Sequence, residues 1–259
     1  MKKLFISCVA LMMALSASAQ REPAGIADHL GVSVGIGTTG ITVDLSTMFT
    51  EYVGVRAGAD IIPNLKMDAD LDLEFGDMED EFIQQFPGSD LDSEIKLQGK
   101  LALTTGHLLV DIHPFKSQFR VTVGAYFGND KIISVYTKES NKLLENIYQF
   151  NQNPANEKIG FELGDYLLEP SKDGNLEASI RVNKFRPYLG IGFGRAVPKK
   201  RLGCQFDLGA QFWGSPAIYA QDHKVTESDM DGNDGGMIKI LSKVSVYPSL
   251  SVRLVGRIF

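Results

Sequence analysis

Four histidines, at positions 29, 107, 113 and 223, are the side chains best suited to act as general bases near neutral pH. Acyl transfer or hydrolysis needs such a base beside a nucleophile or an activated water, and two residues along a strand is the spacing that places both on one face. The residues two places after these histidines are Gly31, Leu109, Phe115 and Val225, none of them a nucleophile. His113, in "DIHPF", has Asp111 nearby but sits where the chain turns. Base, nucleophile and orienting group do not converge, so the chain is expected not to be an enzyme.

Metal chemistry fares no better. In "DMDGND", Asp229, Asp231 and Asn233 alternate as in a calcium loop, but the sixth and twelfth positions of that motif require Gly and Glu, and Asp234 and Ile240 stand there. From Asp68 to Glu94 there are 11 acidic residues and no Lys or Arg. Such a run would gather divalent cations between lipopolysaccharide phosphates, or simply form a solvated, self-repelling loop, and charge patterning favours the loop. No metal and no cofactor is expected.

A second set of charges has a pattern. Asp44, Arg56, Asp60, Arg120, Arg181, Asp207 and Arg253 all fall in segments of period two, on the face that also carries glycine. In "YVGVRAGADI", Val53, Val55, Ala57, Ala59 and Ile61 oppose Gly54, Arg56, Gly58 and Asp60. "FRVTVGAYF", "LEASIRVN", "PYLGIGFG", "CQFDLGAQFW" and the terminal "YPSLSVRLVGRIF" divide in the same way, and "LGVSVGIGTTGITVDLS" reads as a tight hairpin. A soluble sandwich buries its large apolar residues and has no reason to gather glycine on its charged face. A small barrel in lipid predicts that arrangement: apolar side chains outward to acyl chains, and a narrow lumen in which small residues make room for polar ones. Charges of both signs enclosed there should pair, leaving a plugged interior.

The rest of the chain agrees with export to a membrane. "MKK", the apolar "LFISCVALMMAL" and Ala17-Ser18-Ala19 form a signal peptide over 1–19, leaving 20–259 as the barrel domain. Cys8 lies inside the apolar run, which argues against lipid attachment. Cys204 is then the single remaining cysteine, so no internal disulfide can form. Without Lys2 and Lys3 the 26 basic side chains become 24 against 32 acidic ones, a net charge of −8 with His neutral, which disfavours nucleic acid as a partner. Beyond residue 19 no run of 18 apolar residues remains to cross a membrane as a helix, and only a closed barrel satisfies its backbone in hydrocarbon.

The turn signals give about ten strands, with eight as the alternative because Ile218–Val246 is ambiguous. "STMFTEY", "HPFKSQ", "NKFRP" and "WGSP" read as short periplasmic turns. The excursions 68–93, 136–175 and 222–236 read as long outer loops, and "RAVPKK" as a brief one. The apolar parity of "SEIKLQGKLALTTGHLLVDIHPF" is odd up to Leu103 and even from Leu108, which predicts a β-bulge at "TTG".

"KFRPYLGIGFG", "FDLGAQFWGSP" and the terminal "VGRIF" resemble the outer-membrane β-barrel proteins of the broad OmpA/OmpW-like group. That resemblance implies an up-and-down antiparallel barrel in the cell outer membrane, with outer-membrane lipid or lipopolysaccharide and the barrel-assembly machinery as partners. It also implies an assembly signal at Leu254, Gly256, Ile258 and Phe259, although Phe259 falls on the parity of Arg253 and Arg257 rather than on the apolar one. The function expected is a structural or surface-interaction role with acidic extracellular loops, of unidentified ligand. A narrow porin-like channel is the alternative, and a lipid-modifying enzyme is a more distant one.

Overall fold

The computed structural model describes residues 29–71, 79–91, 94–115, 117–163, 166–226 and 244–258. The signal segment, Asp229, Asp231, Asn233 and Phe259 lie outside them. The described chain runs β1 (Leu30–Gly37), β2 (Gly40–Met48), β3 (Val53–Leu71), helix α1 (Glu79–Gln85), β4 (Ile95–Ile112), β5 (Phe119–Gly128) and β6 (Lys131–Thr137). Helix α2 (Lys142–Asn151) follows, then β7 (Phe161–Leu163), β8 (Tyr166–Leu168), β9 (Glu177–Arg181), β10 (Phe185–Phe193), β11 (Leu202–Phe212), β12 (Ala217–Ala220), β13 (His223–Lys224) and β14 (Val246–Arg257).

Antiparallel pairing runs β1-β2-β3-β4-β5-β10-β11-β14 and returns to β1, with Val34 opposite Leu254 at the seam. The result is a closed eight-stranded barrel, the smaller of the two counts. Ten came from treating interruptions as turns. "NKFRP" and "WGSP" are not turns: β9 continues into β10, and β11 into β12, as single staves that keep their neighbours on both sides of the interruption. Strand β5 likewise continues into β6 along the same partner, β4.

At one end of the barrel lie the connections after β2, β4 and β10, together with the described chain termini; at the other lie the two-residue β1–β2 turn and the three long connections. "RAVPKK" therefore belongs to the end that holds "HPFKSQ", which corrects its assignment to the opposite side. Gly40 enters its hairpin at φ +100°, a conformation only glycine adopts without strain.

Outward side chains form an apolar belt. Ile41, Val43 and Leu45 on β2, Leu189, Ile191 and Phe193 on β10, Phe206, Leu208 and Phe212 on β11, and Leu250, Val252 and Leu254 on β14 are 42–63 % exposed. A soluble monomer does not leave a contiguous ring of that extent in water. Inward positions between them carry Asp44, Arg56, Arg120, Asp207 and Arg253, all buried. This inside-out polarity is that of a transmembrane barrel.

The staves outrun the membrane. A tilted membrane strand needs only ~9–11 residues, whereas β3 has 19 and β4 has 18. The excess, with β6, β9, β12 and β13, makes a sheet above the barrel mouth. Over one face of that sheet pack Phe82 of α1, Leu143, Leu144, Ile147 and Phe150 of α2, and Ile159, Leu168 and Val225. Helix α2 forms because Leu143, Leu144, Ile147 and Phe150 recur at helical spacing on one side, and Asn141 Oδ1 accepts the Leu143 N–H at 2.8 Å as its N-cap. In α1, Glu79, Asp80 and Glu81 occupy the first turn, where the helix dipole favours negative charge. Part of the acidic run is thus a helix start in a folded cap.

This cap explains the change of parity in β4. Buried positions alternate with more exposed ones from Leu103 to Ile112, Ile95 is buried on the same parity, and β4 keeps its register with β3 through Thr104, Thr105 and Gly106, so there is no bulge at "TTG". What changes is the surroundings. Above the mouth the inside is an apolar core, and within the membrane it is a polar lumen. The extra residues lie in the neighbouring strands, between Ile62 and Leu65 of β3 and between β5 and β6.

Candidate functional site

Inward residues of six strands meet at the barrel's centre. Asp44 comes from β2, Arg56 and Asp60 from β3, His107 and Asp111 from β4, Arg120 from β5, Asp207 from β11 and Arg253 from β14. Arg56 Nε lies 2.6 Å from Asp111 Oδ2, and its Nη2 3.5 Å from Asp207 Oδ1. Arg120 Nη2 donates to Asp207 Oδ1 at 2.6 Å, and its Nη1 donates to the Gly194 carbonyl. Arg253 reaches Asp44 Oδ2 at 2.6 Å and also contacts Asp207 Oδ2. Hydroxyls add donors to three of the carboxylates: Thr122 donates to Asp111 at 2.7 Å, Ser33 to Asp44 at 3.0 Å, and Thr42 and Thr39 to Asp60.

His107 is the bridge between the two acids of β2 and β3. Its Nε2 lies 2.7 Å from Asp44 Oδ1 and its Nδ1 3.0 Å from Asp60 Oδ2. A neutral imidazole has one N–H, so only the doubly protonated ring donates to both carboxylates. His107 then stands with Arg56, Arg120 and Arg253 as four cations against Asp44, Asp60, Asp111 and Asp207. Opposite charges offset one another across the network, which lowers the cost of burying them.

Glycine supplies the space. A Cβ on Gly192 would lie 2.7 Å from Asp207 Oδ1 and 2.8 Å from Arg120 Nε, and one on Gly58 would collide with Asp44. Tyr126 and Tyr188 fill the lumen beside the charges, their rings edge to face at 5.4 Å, with His107 5.0 Å from Tyr126.

Of the lumen charges expected from sequence, Asp44, Arg56, Asp60, Arg120, Asp207 and Arg253 are brought together. Arg181 is not. It sits on β9 in the cap, where it binds Asp222 and stacks on Tyr219 with its guanidinium carbon 4.1 Å from the ring centroid. The hydrogen bond and charge of Arg181, with Lys131 nearby, hold the Asp222 carboxyl below its usual range. His107, Asp111 and Arg186 were missed. The first two were readable from the local alternation in which Leu108, Val110 and Ile112 oppose His107, Leu109 and Asp111. Arg186 is fully buried and donates from Nε to the Asn183 carbonyl at 2.7 Å.

The other candidates stay apart. His113 is buried at the β4–β5 turn, its Nδ1 3.2 Å from the Phe119 carbonyl, and His223 is exposed on β13. No group of three His, Cys, Asp or Glu able to hold a metal exists among the described residues. Cys204 is free and exposed in the belt. At the carboxyl end, Leu254 and Gly256 pair with β1, and the Ile258 N–H donates to the Leu30 carbonyl at 2.8 Å.

The chain also reaches into the lumen at its termini end. The β10–β11 connection, 194–201, folds inward so that Ala196 and Val197 are buried. Ser46 of β2 donates to the Ala196 carbonyl at 2.7 Å, and Gln205 to that of Arg195 at 2.8 Å. Gly31, on β1, faces both Ala196 and Val197.

No family model and no curated protein matches the chain. Among solved structures it is similar to Acinetobacter baumannii CarO, with a TM-score of 0.47 at 16 % identity over 88 % of this chain and 97 % of that one. It is also similar to Acinetobacter baumannii CarO2, with the same TM-score and identity over 88 % of this chain and 98 % of that one.

Proposed function

We propose that this protein is a non-enzymatic barrel of the cell outer membrane, closed to solutes, which carries a folded extracellular cap in a structural or surface-interaction role. The observation that carries this reading is the state of the lumen charges. None of the eight network side chains is more than 4 % exposed. A conducting pore wets the charges that line it, and these are buried against one another.

In this reading the end with the long connections faces outward and the termini face the periplasm. The grouping with OmpA/OmpW-like barrels belongs to it, as do lipopolysaccharide around the belt, the barrel-assembly machinery as a partner that reads Leu254, Gly256, Ile258 and Phe259, and a cleaved signal peptide. The expected result is that purified protein in a planar bilayer shows no steady conductance. A stable, ohmic conductance on the order of a nanosiemens, as a water-filled barrel lumen gives, would establish the channel reading instead.

A further inference from the structure

A surface hollow of about 460 Å³ opens at the termini end of the barrel, between the β4–β5 turn, the β10–β11 connection and the start of β11. Gln118, Arg195, Lys199 and Lys200 line its polar part, and Leu202 and Cys204 its apolar part. Leu202 is 73 % exposed and begins the outward row that continues through Cys204 and Phe206. The hollow therefore spans the line where the belt meets the aqueous face.

Its charge is one-sided. Three cations line it and no carboxylate does. Lys199 and Lys200 are exposed, and neither forms a salt bridge among the described residues. Arg257 adds a fourth cation, its Nη1 donating to the Lys199 carbonyl at 3.1 Å. Along the described short connections at this end, Glu51 is the single acidic residue against Arg195, Lys199, Lys200 and Arg201. Like charges gathered around one hollow repel one another, and an anion between them offsets that cost.

We infer that this hollow binds the phosphate headgroup of an anionic phospholipid in the periplasmic leaflet, with Lys199, Lys200 and Arg195 around the phosphate and an acyl chain lying along Leu202, Cys204 and Phe206. A soluble phosphate satisfies the cations but not the apolar wall. A phosphate-bearing diacyl lipid satisfies both. The choice of leaflet rests on the orientation proposed above.

The test is native mass spectrometry of the folded full-length protein from mixed micelles containing phosphatidylglycerol or phosphatidylcholine. Wild type should retain one phosphatidylglycerol in preference to phosphatidylcholine. Lys199→Ala with Lys200→Ala should weaken that retention about tenfold or more, since each basic residue at an anionic membrane surface contributes roughly a fivefold effect. The Lys199→Arg, Lys200→Arg pair should restore it. Equal retention of the two lipids, an alanine pair that behaves as wild type, or displacement of the lipid by millimolar inorganic phosphate would overturn the site. Labelling of Lys199 on intact cells by a membrane-impermeant amine reagent would instead overturn the orientation, and with it the leaflet, while leaving the lipid selectivity readable.

Discussion

Arg120 shows how closely the lumen residues depend on one another. Its guanidinium holds Asp207 at 2.6 Å and approaches Asp111 at 3.5 Å, with no exposed surface on its side chain. Removing one member of such a buried pair leaves a charge without compensation, so Arg120→Ala should lower the unfolding free energy in detergent by ~3–5 kcal/mol. Urea titration followed by tryptophan fluorescence reads this directly. His107→Leu should also destabilise, because Asp44 and Asp60 each lose a donor, at a cost of about 1–3 kcal/mol per unpaired group. If both variants unfold at the wild-type midpoint, water rather than protein solvates these carboxylates, and the lumen is wetter than its buried side chains indicate.

At the scale of elements, β4 is one strand in two solvents. Its lower half puts Leu108 and Ile112 toward lipid and His107 and Asp111 inside; its upper half puts Ile95 under α1 and α2. The pleat never changes, but the polarity of the enclosed space inverts at the barrel mouth. The cap is therefore a separate apolar core built on strands shared with the barrel. Leu144 is fully buried in that core, and truncating it to alanine should cost ~2–5 kcal/mol. Because that core lies above the belt, Leu144→Ala should make α2 sensitive to protease while leaving the heat-dependent gel shift of the folded barrel in place. Loss of the gel shift would mean that cap and barrel fold as one cooperative unit.

For the molecule as a whole, closure is the decisive property, because a strand edge left open in hydrocarbon strands its backbone groups. Deleting Leu254–Phe259 removes the register partners of Gly31, Val32, Ser33 and Val34 on β1 and of Leu202, Gly203 and Cys204 on β11. The truncated chain should fail to give the heat-modifiable species, and a folded, membrane-inserted truncation would show that closure does not need this segment. The sequence by itself determined the barrel and the inward placement of Arg56, Arg120, Asp207 and Arg253, because a period of two records which side of a strand meets lipid. It could not determine how many staves there are, since "NKFRP" and "WGSP" have turn composition yet lie within strands whose pairing to neighbours carries the chain through. It could not separate Arg181 from the lumen charges either, because parity gives the face of a strand and not its height. Which charges meet, that His107 joins two acids, that 194–201 folds into the mouth and that a helical cap stands above it were decided by tertiary structure. Those are contacts between residues up to 209 positions apart, as Asp44 and Arg253 are, and no local pattern encodes them.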